Sequence, residues 1–181
     1  YEMDWLAFLR SRELPVSYPI TRRDGGTIGR LDAPEGTRYY AMFSLAHGDP
    51  LSLQDPEQLY TMGELMARIH VASNEFHTPH ARKPLDLAYL LERPLERIER
   101  SWTDEHVGDL DLVVTAAGEA RGELEALTAQ FPADGWGPIG GDFHQSSVYF
   151  DEADRPTFFN FDLCGPGWRA YDIAAFLSNS N

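Results

Sequence analysis

Two acid-bearing loops flank one short hairpin near the end of this chain, and that arrangement constrains the fold more than any other feature. Gly140-Gly141-Asp142-Phe143-His144-Gln145-Ser146-Ser147 is the densest polar and glycine-rich segment. Ser147–Phe150 and Pro156–Phe159 follow as alternating strands around an Asp151-Glu152-Ala153-Asp154 turn, and Asn160-Phe161-Asp162-Leu163-Cys164-Gly165 forms the second loop. A hairpin returns the chain to its starting point, so Asp142 and the Asn160/Asp162 pair must lie close together. Acids meeting in this way make a cation site or an acid/base site. Acids that cap turns and face water fit the spacing equally well.

The rest of the chain reads as helix, small sheet, linker, helices, hairpin and a last helix. Trp5, Leu6, Phe8 and Leu9 mark an amphipathic helix ending near Glu13, before Pro15. Thr27–Leu31 and Arg38–Phe43 read as strands, with turns at Asp24-Gly25-Gly26 and Pro34-Glu35-Gly36. Gly25 through Gly29 therefore reads as a turn and not as a phosphate-binding loop. Leu59, Met62, Leu65, Met66 and Ile69 predict one helix after Asp55-Pro56-Glu57. Leu87 through Ile98 predicts a second, interrupted or kinked at Pro94, and Leu110 through Phe131 a third that packs through Leu112, Val113, Ala116, Leu124 and Leu127. A last helix near Arg169 carries Ile173, Ala174, Phe176 and Leu177. Met62, Met66, Tyr39, Tyr40 and Phe43 are expected in the core. The order is that of an α+β fold in two lobes, a partial sheet lobe over 1–46 and a helical lobe over 47–181.

Composition narrows the partners. The 181 residues carry 29 acidic against 15 basic side chains, a formal charge of −14, and Lys83 is the sole lysine. Such a surface repels phosphate backbones and anionic lipid, so neither nucleic acid nor membrane is the expected partner, and a cationic small molecule is favoured. No apolar run reaches the roughly 20 residues that span a bilayer, and no basic leader opens the chain, so a cytoplasmic protein is expected. Cys164 is the only cysteine, which excludes an intrachain disulfide and a cysteine-rich metal site. His47, His77 and His80 show no metal-ligand spacing.

GGDFHQSSVYF, followed by TFFNFDLCGPGWRAYDIAAF, resembles the aminoglycoside and choline phosphotransferase superfamily, whose pattern is H-G-D-x-H-x-x-N, then I-D-F after a hairpin, then a Y-D-[LI]-A helix. Ala67-Arg68-Ile69-His70 is similar to the family's L-x-x-L-H, and Glu2 stands where the family places the acid that pairs with a strand lysine. The resemblance implies a protein-kinase-like two-lobed fold that uses ATP and Mg²⁺ to phosphorylate a small-molecule hydroxyl. By position, Asp142 corresponds to the catalytic base, Asn160 to the principal metal-binding Asp, and Ser147 to the metal-binding Asn at the cofactor. Asp162, which alternation along an extended segment points to the same side as Asn160, is expected to compensate as a further metal ligand, and Asp172 corresponds to the buried anchor of the catalytic loop. Phe43, Leu45 and His47 fall on the segment that offers backbone groups to adenine. Gly140 replaces the motif's first His, and His144 matches its second.

The family's phosphate-covering loop and strand lysine lie before the helix that opens this sequence, and its last helices lie after Y-D-[LI]-A. The resemblance thus implies either a trimmed segment or a reduced relative. The replacements at 140, 147 and 160 imply impaired phosphotransfer. The alternative is a catalytically inactive pseudokinase that serves as a binding or interaction module. A homodimer in which a partner completes the sheet lobe is a further expectation.

Overall fold

The computed structural model describes residues 1–103 and 107–179. Helix α1 (Glu2–Ser11) buries Trp5, Leu6 and Leu9, the apolar stripe that a 3.6-residue period places on one side. Trp5 Nε1 donates to Ser73 Oγ at 2.8 Å, and that hydroxyl donates to the Ile69 carbonyl, so the indole's single donor is satisfied where no water reaches it. Helix α2 (Pro56–Ala72) starts at Asp55, whose carboxylate accepts from the amides of Glu57 and Gln58. It buries Met62, Leu65, Met66, Ile69 and His70. His70 is the one polar member of that stripe.

Strands β1 (Ile28–Ala33) and β2 (Gly36–Ala41) pair antiparallel around Pro34-Glu35. A three-stranded sheet joins β3 (Asp49–Pro50), β5 (Val148–Phe150) and β6 (Pro156–Phe158). Strands β4 (Trp136–Ile139) and β7 (Gly165–Trp168) make a third pair. Residues 14–20 run extended, with Val16 bridged to Phe158 and Pro19 to Phe43. Gly25 donates to the Arg22 carbonyl, so the glycine stretch turns that segment into β1. The core draws on both sides of residue 46: Trp5, Leu6, Leu9 and Val16 pack with Leu51, Ile69, Phe143 and Phe158. At roughly 1.5–3 kcal/mol per buried large side chain, this cluster is the main source of stability.

Expectations of burial drawn from periodicity fail in part. Tyr39 and Tyr40 are 72% and 47% exposed and Phe43 40%, because nothing among the described residues covers the outer face of β1–β2. The helical run from Ala88 is interrupted near Pro94, as expected: a π-turn through Glu92 gives way to α3 (Arg93–Ser101), with Pro94 at its second residue. Helix α4 (Val107–Thr128) leaves Leu112, Leu124 and Leu127 exposed. Helix α5 (Arg169–Asn179) likewise exposes Ile173 and Leu177 and buries Asp172 instead.

No helix among the described residues is long and apolar enough to cross a membrane.

Candidate active site

Two strand pairs clamp the acid-bearing loops. In β5–β6 Val148 faces Phe158, and in β4–β7 Ile139 faces Gly165. The loop from 140 to 147 and the loop from 159 to 164 are therefore held at both ends and run side by side. Gly141 sets how closely. Its φ is +81°, and a Cβ there would lie 2.7 Å from the Leu163 carbonyl oxygen and 2.8 Å from Leu85 Cδ1. Only glycine combines that backbone with that approach. Gly140 is also confined, since a Cβ would meet the Phe143 ring at 2.5 Å. Phe143 stacks edge-on against Phe158 and Phe161, with centroids at 5.0 and 5.8 Å, and ties the loops together from below.

Asp172 fixes the path of the first loop. The side chain is fully buried, Oδ2 accepts from the Gly140 amide at 3.0 Å, and Oδ1 accepts from the Gly141 amide at 2.8 Å. His70 Nε2 lies 2.8 Å from Oδ2 and completes the set. A buried carboxylate is tolerable only when its oxygens are met in this way. Asp142 emerges from the loop with its side chain 35% exposed and His144 Nε2 at 3.9 Å. His144 turns its other nitrogen to Ser146 Oγ at 2.8 Å, a contact that shapes the loop. Burial, with the charges of Asp142 and Asp172 added, pushes the Tyr171 phenol above its usual range.

Asn160 and Asp162 open onto a cavity of about 440 Å³ that Glu2, Phe43 and Ser146 also line. Asn160 adopts φ +65°, a left-handed conformation that Asn and Asp tolerate better than other non-glycine residues, and this turns its amide out of the hairpin. Burial raises the Glu2 carboxyl, and Asp162 raises it further, while Arg82 opposes both. Arg82 also donates from Nη2 to the Asp162 carbonyl and so holds the second loop.

The sequence-predicted site residues divide accordingly. Phe43 joins the cavity with Asn160 and Asp162. Leu45 is 74% exposed and does not line it, and His47 stands in a separate hollow with Asp49, Asp151 and Arg155. Ser147 is fully buried, and its hydroxyl donates to the Asp142 carbonyl at 3.2 Å. Its short side chain is used inside the loop and does not reach the cavity. Sequence reading missed Arg82, whose partner lies 80 residues away. It also missed the His70–Asp172 bond, although a histidine inside a buried apolar stripe signals an internal partner.

Cys164 is buried, and burial followed by the charge of Glu2 pushes its thiol up to about 12. The thiolate is the nucleophile, so alkylation by iodoacetamide at pH 8 is expected to run about a thousandfold slower than for a free cysteine. Mass spectrometry of the native and the urea-unfolded chain would check this. Labelling at equal rates would contradict the burial.

The family model described as "Phosphotransferase enzyme family" matches residues 1–181. An uncharacterized protein of Synechocystis sp. is 34% identical over 182 residues, covering 99% of this chain and 49% of that protein. A homoserine kinase of Brucella anthropi is 30% identical over 171 residues, covering 94% and 48%. The chain thus spans about half the length of the curated relatives it matches. Among solved structures, an amicoumacin kinase in complex with AMP-PNP, Ca²⁺ and Ami superposes with a TM-score of 0.78 at 21% identity, over 98% of this chain and 52% of that one. A microcompartment-associated aminopropanol kinase superposes with a TM-score of 0.76 at 24% identity, over 96% and 56%. These likenesses establish a shared kinase-like fold.

Proposed function

Since this chain belongs to the phosphotransferase enzyme family, we propose that it forms the catalytic-loop part of an ATP-dependent kinase acting on a small-molecule hydroxyl, with weakened metal binding. The observation that supports the reading is the clamped pair of loops, one carrying Asp142 and the other carrying Asn160 and Asp162, which line the cavity. Relatives and structural neighbours named as kinases of homoserine, amicoumacin and aminopropanol support a small-molecule acceptor.

The donor set fits Mg²⁺, but sparsely. This ion is held through one or two carboxylates together with phosphate oxygens, and Asp162 supplies one carboxylate and Asn160 an amide oxygen on the same cavity wall. Ser147 contributes nothing, since its hydroxyl is engaged within the loop. When bound, the ion supplies charge neutralisation for the phosphates. This chain's residues do the rest. The Asp142 carboxylate accepts the acceptor's hydroxyl proton as that oxygen bonds to the γ-phosphorus, and the bond to the bridging oxygen breaks to release ADP. Asp172 holds the loop so that the carboxylate stays in place. Phe43 offers an apolar wall against which a nucleoside base can lie.

The engagement of Ser147 and the neutral side chain of Asn160 favour a second reading, a pseudokinase that binds without turnover. Isothermal titration with Mg²⁺-ATP separates the two. Asn160→Asp is compatible with the left-handed backbone and restores a full charge. Removing a metal's outer-shell partner typically costs 10–100-fold in affinity, so gaining an inner carboxylate is expected to tighten metal-dependent nucleotide binding by at least about tenfold. Equal affinities would overturn Asn160 as a metal ligand. Binding without ADP release in the presence of a hydroxyl-bearing acceptor panel would establish the pseudokinase.

A further inference from the structure

Lys83, Tyr89, Arg93 and Arg97 converge on a hollow of about 660 Å³ completed by Leu90 and Ile98. Tyr89, Arg93 and Arg97 recur every four residues along the helical run 88–101, so they share one face. The sole lysine of the sequence joins them from the preceding loop. Among the described residues no carboxylate lines the hollow, and none of the three cations enters an ion pair. Their neighbours behave differently. Arg100 pairs with Glu96, and Arg121 with Glu92 and Glu125. In a chain with 29 acids and 15 bases, three unpaired cations around one cavity stand out against the composition. Like charges at four-residue spacing repel, so within the protein this face is unfavourable.

The hollow adjoins the catalytic loop. The Lys83 carbonyl packs against Gly165, at 2.9 Å from where its Cβ would stand, and the Leu85 side chain packs against Gly141, next to Asp142. Leu85 also donates its amide to the Pro166 carbonyl at 2.7 Å, which fixes the strap of residues 83–85 along β7. Leu85 is bridged to Gly167 as well, so the strap that carries Lys83 lies along the strand that closes the second loop.

We propose that this hollow is an acceptor subsite for an oxyanion, so that the substrate carries a carboxylate or phosphate ester as well as the hydroxyl to be phosphorylated. The proposal rests on the kinase reading of Asp142. Guanidinium groups meet carboxylate and phosphate oxygens in a two-pronged fork, and the ammonium of Lys83 adds a point charge. The acidic surface would attract cations in general; this hollow selects the opposite sign beside the strap that packs on the catalytic loop.

The test uses four probes of equal chain length: 4-hydroxybutyrate, 4-hydroxybutyl phosphate, 1,4-butanediol and 4-amino-1-butanol. Their dissociation constants are measured by ligand-observed NMR, and ADP release is followed with each in the presence of Mg²⁺-ATP. At least one anion is expected to bind tenfold or more tightly than the diol, with the ammonium weakest, and the ratio of the two anions tells carboxylate from phosphate. Arg93→Gln with Arg97→Gln keeps good helix formers at two exposed positions, so the fold is retained, and it is expected to erase the preference. Equal binding of all four probes, or a preference that survives in the double variant, overturns the proposal. An anion preference without ADP release upholds the subsite and removes the kinase reading. ADP release with no anion preference does the reverse.

Discussion

Replacing Asp172 with alanine is expected to lower the unfolding midpoint by about 10 °C. The substitution strips three partners at once from a fully buried carboxylate: the amides of Gly140 and Gly141, and His70 Nε2. Each buried donor left unpaired costs about 1–3 kcal/mol, and the loss of a buried charged partner reaches about 3–5 kcal/mol in total. For a chain of this length, 1 kcal/mol corresponds to roughly 2–4 °C. Asp172→Asn should fall between, because one amide can meet the Asn oxygen while the other faces an NH₂ group. Calorimetry on the three forms gives the answer, and a shift below about 2 °C for the alanine variant would mean that the loop holds its shape without this carboxylate.

Asp142→Asn is expected to act on chemistry and not on folding. The side chain is about one-third exposed and, among the described residues, no hydrogen bond uses its carboxylate, so its loss should change stability by no more than about 0.5 kcal/mol. Removal of a positioned general base typically lowers turnover by about 10²–10⁴-fold. ADP release measured with saturating acceptor would report the drop, while the affinity for Mg²⁺-ATP, set by the neighbouring loop, should stay within a factor of about three. Turnover unchanged in Asp142→Asn would remove it from the proposed mechanism. Loss of turnover together with loss of nucleotide binding would place Asp142 among the nucleotide contacts instead.

The sequence made the local part of this site readable. The Asp151–Asp154 turn between two alternating runs requires a hairpin, and a hairpin requires its flanking loops to meet. The stripe of α2 was legible for the same reason, since a 3.6 period depends only on neighbours in sequence. Side chains whose partners lie far along the chain were not legible. Arg82 binds the Asp162 backbone, Trp5 binds Ser73, and Ser147 turns inward to Asp142 because the loop folds over it. No spacing rule encodes these. Burial of Tyr39, Tyr40 and Leu112 was misjudged because propensity and period say which face is apolar, not whether a neighbour covers it. Asp172 shows the converse: α5 buries its acid and exposes Ile173 and Leu177, an outcome dictated by two amides waiting in another loop.

The clamping of both loops by strand pairs has a consequence for how such a site changes over generations. Backbone positions are set by β4–β7, β5–β6, Gly141 and Asp172, none of which is a group that would touch a phosphate. The side chain at 160, which lines the cavity, can therefore change without dismantling the scaffold that displays it. Charge and folding are separable at that position: an exchange between Asp and Asn at 160 takes a single nucleotide change, alters the charge that the cavity presents, and leaves the strand pairs, Gly141 and Asp172 as they are.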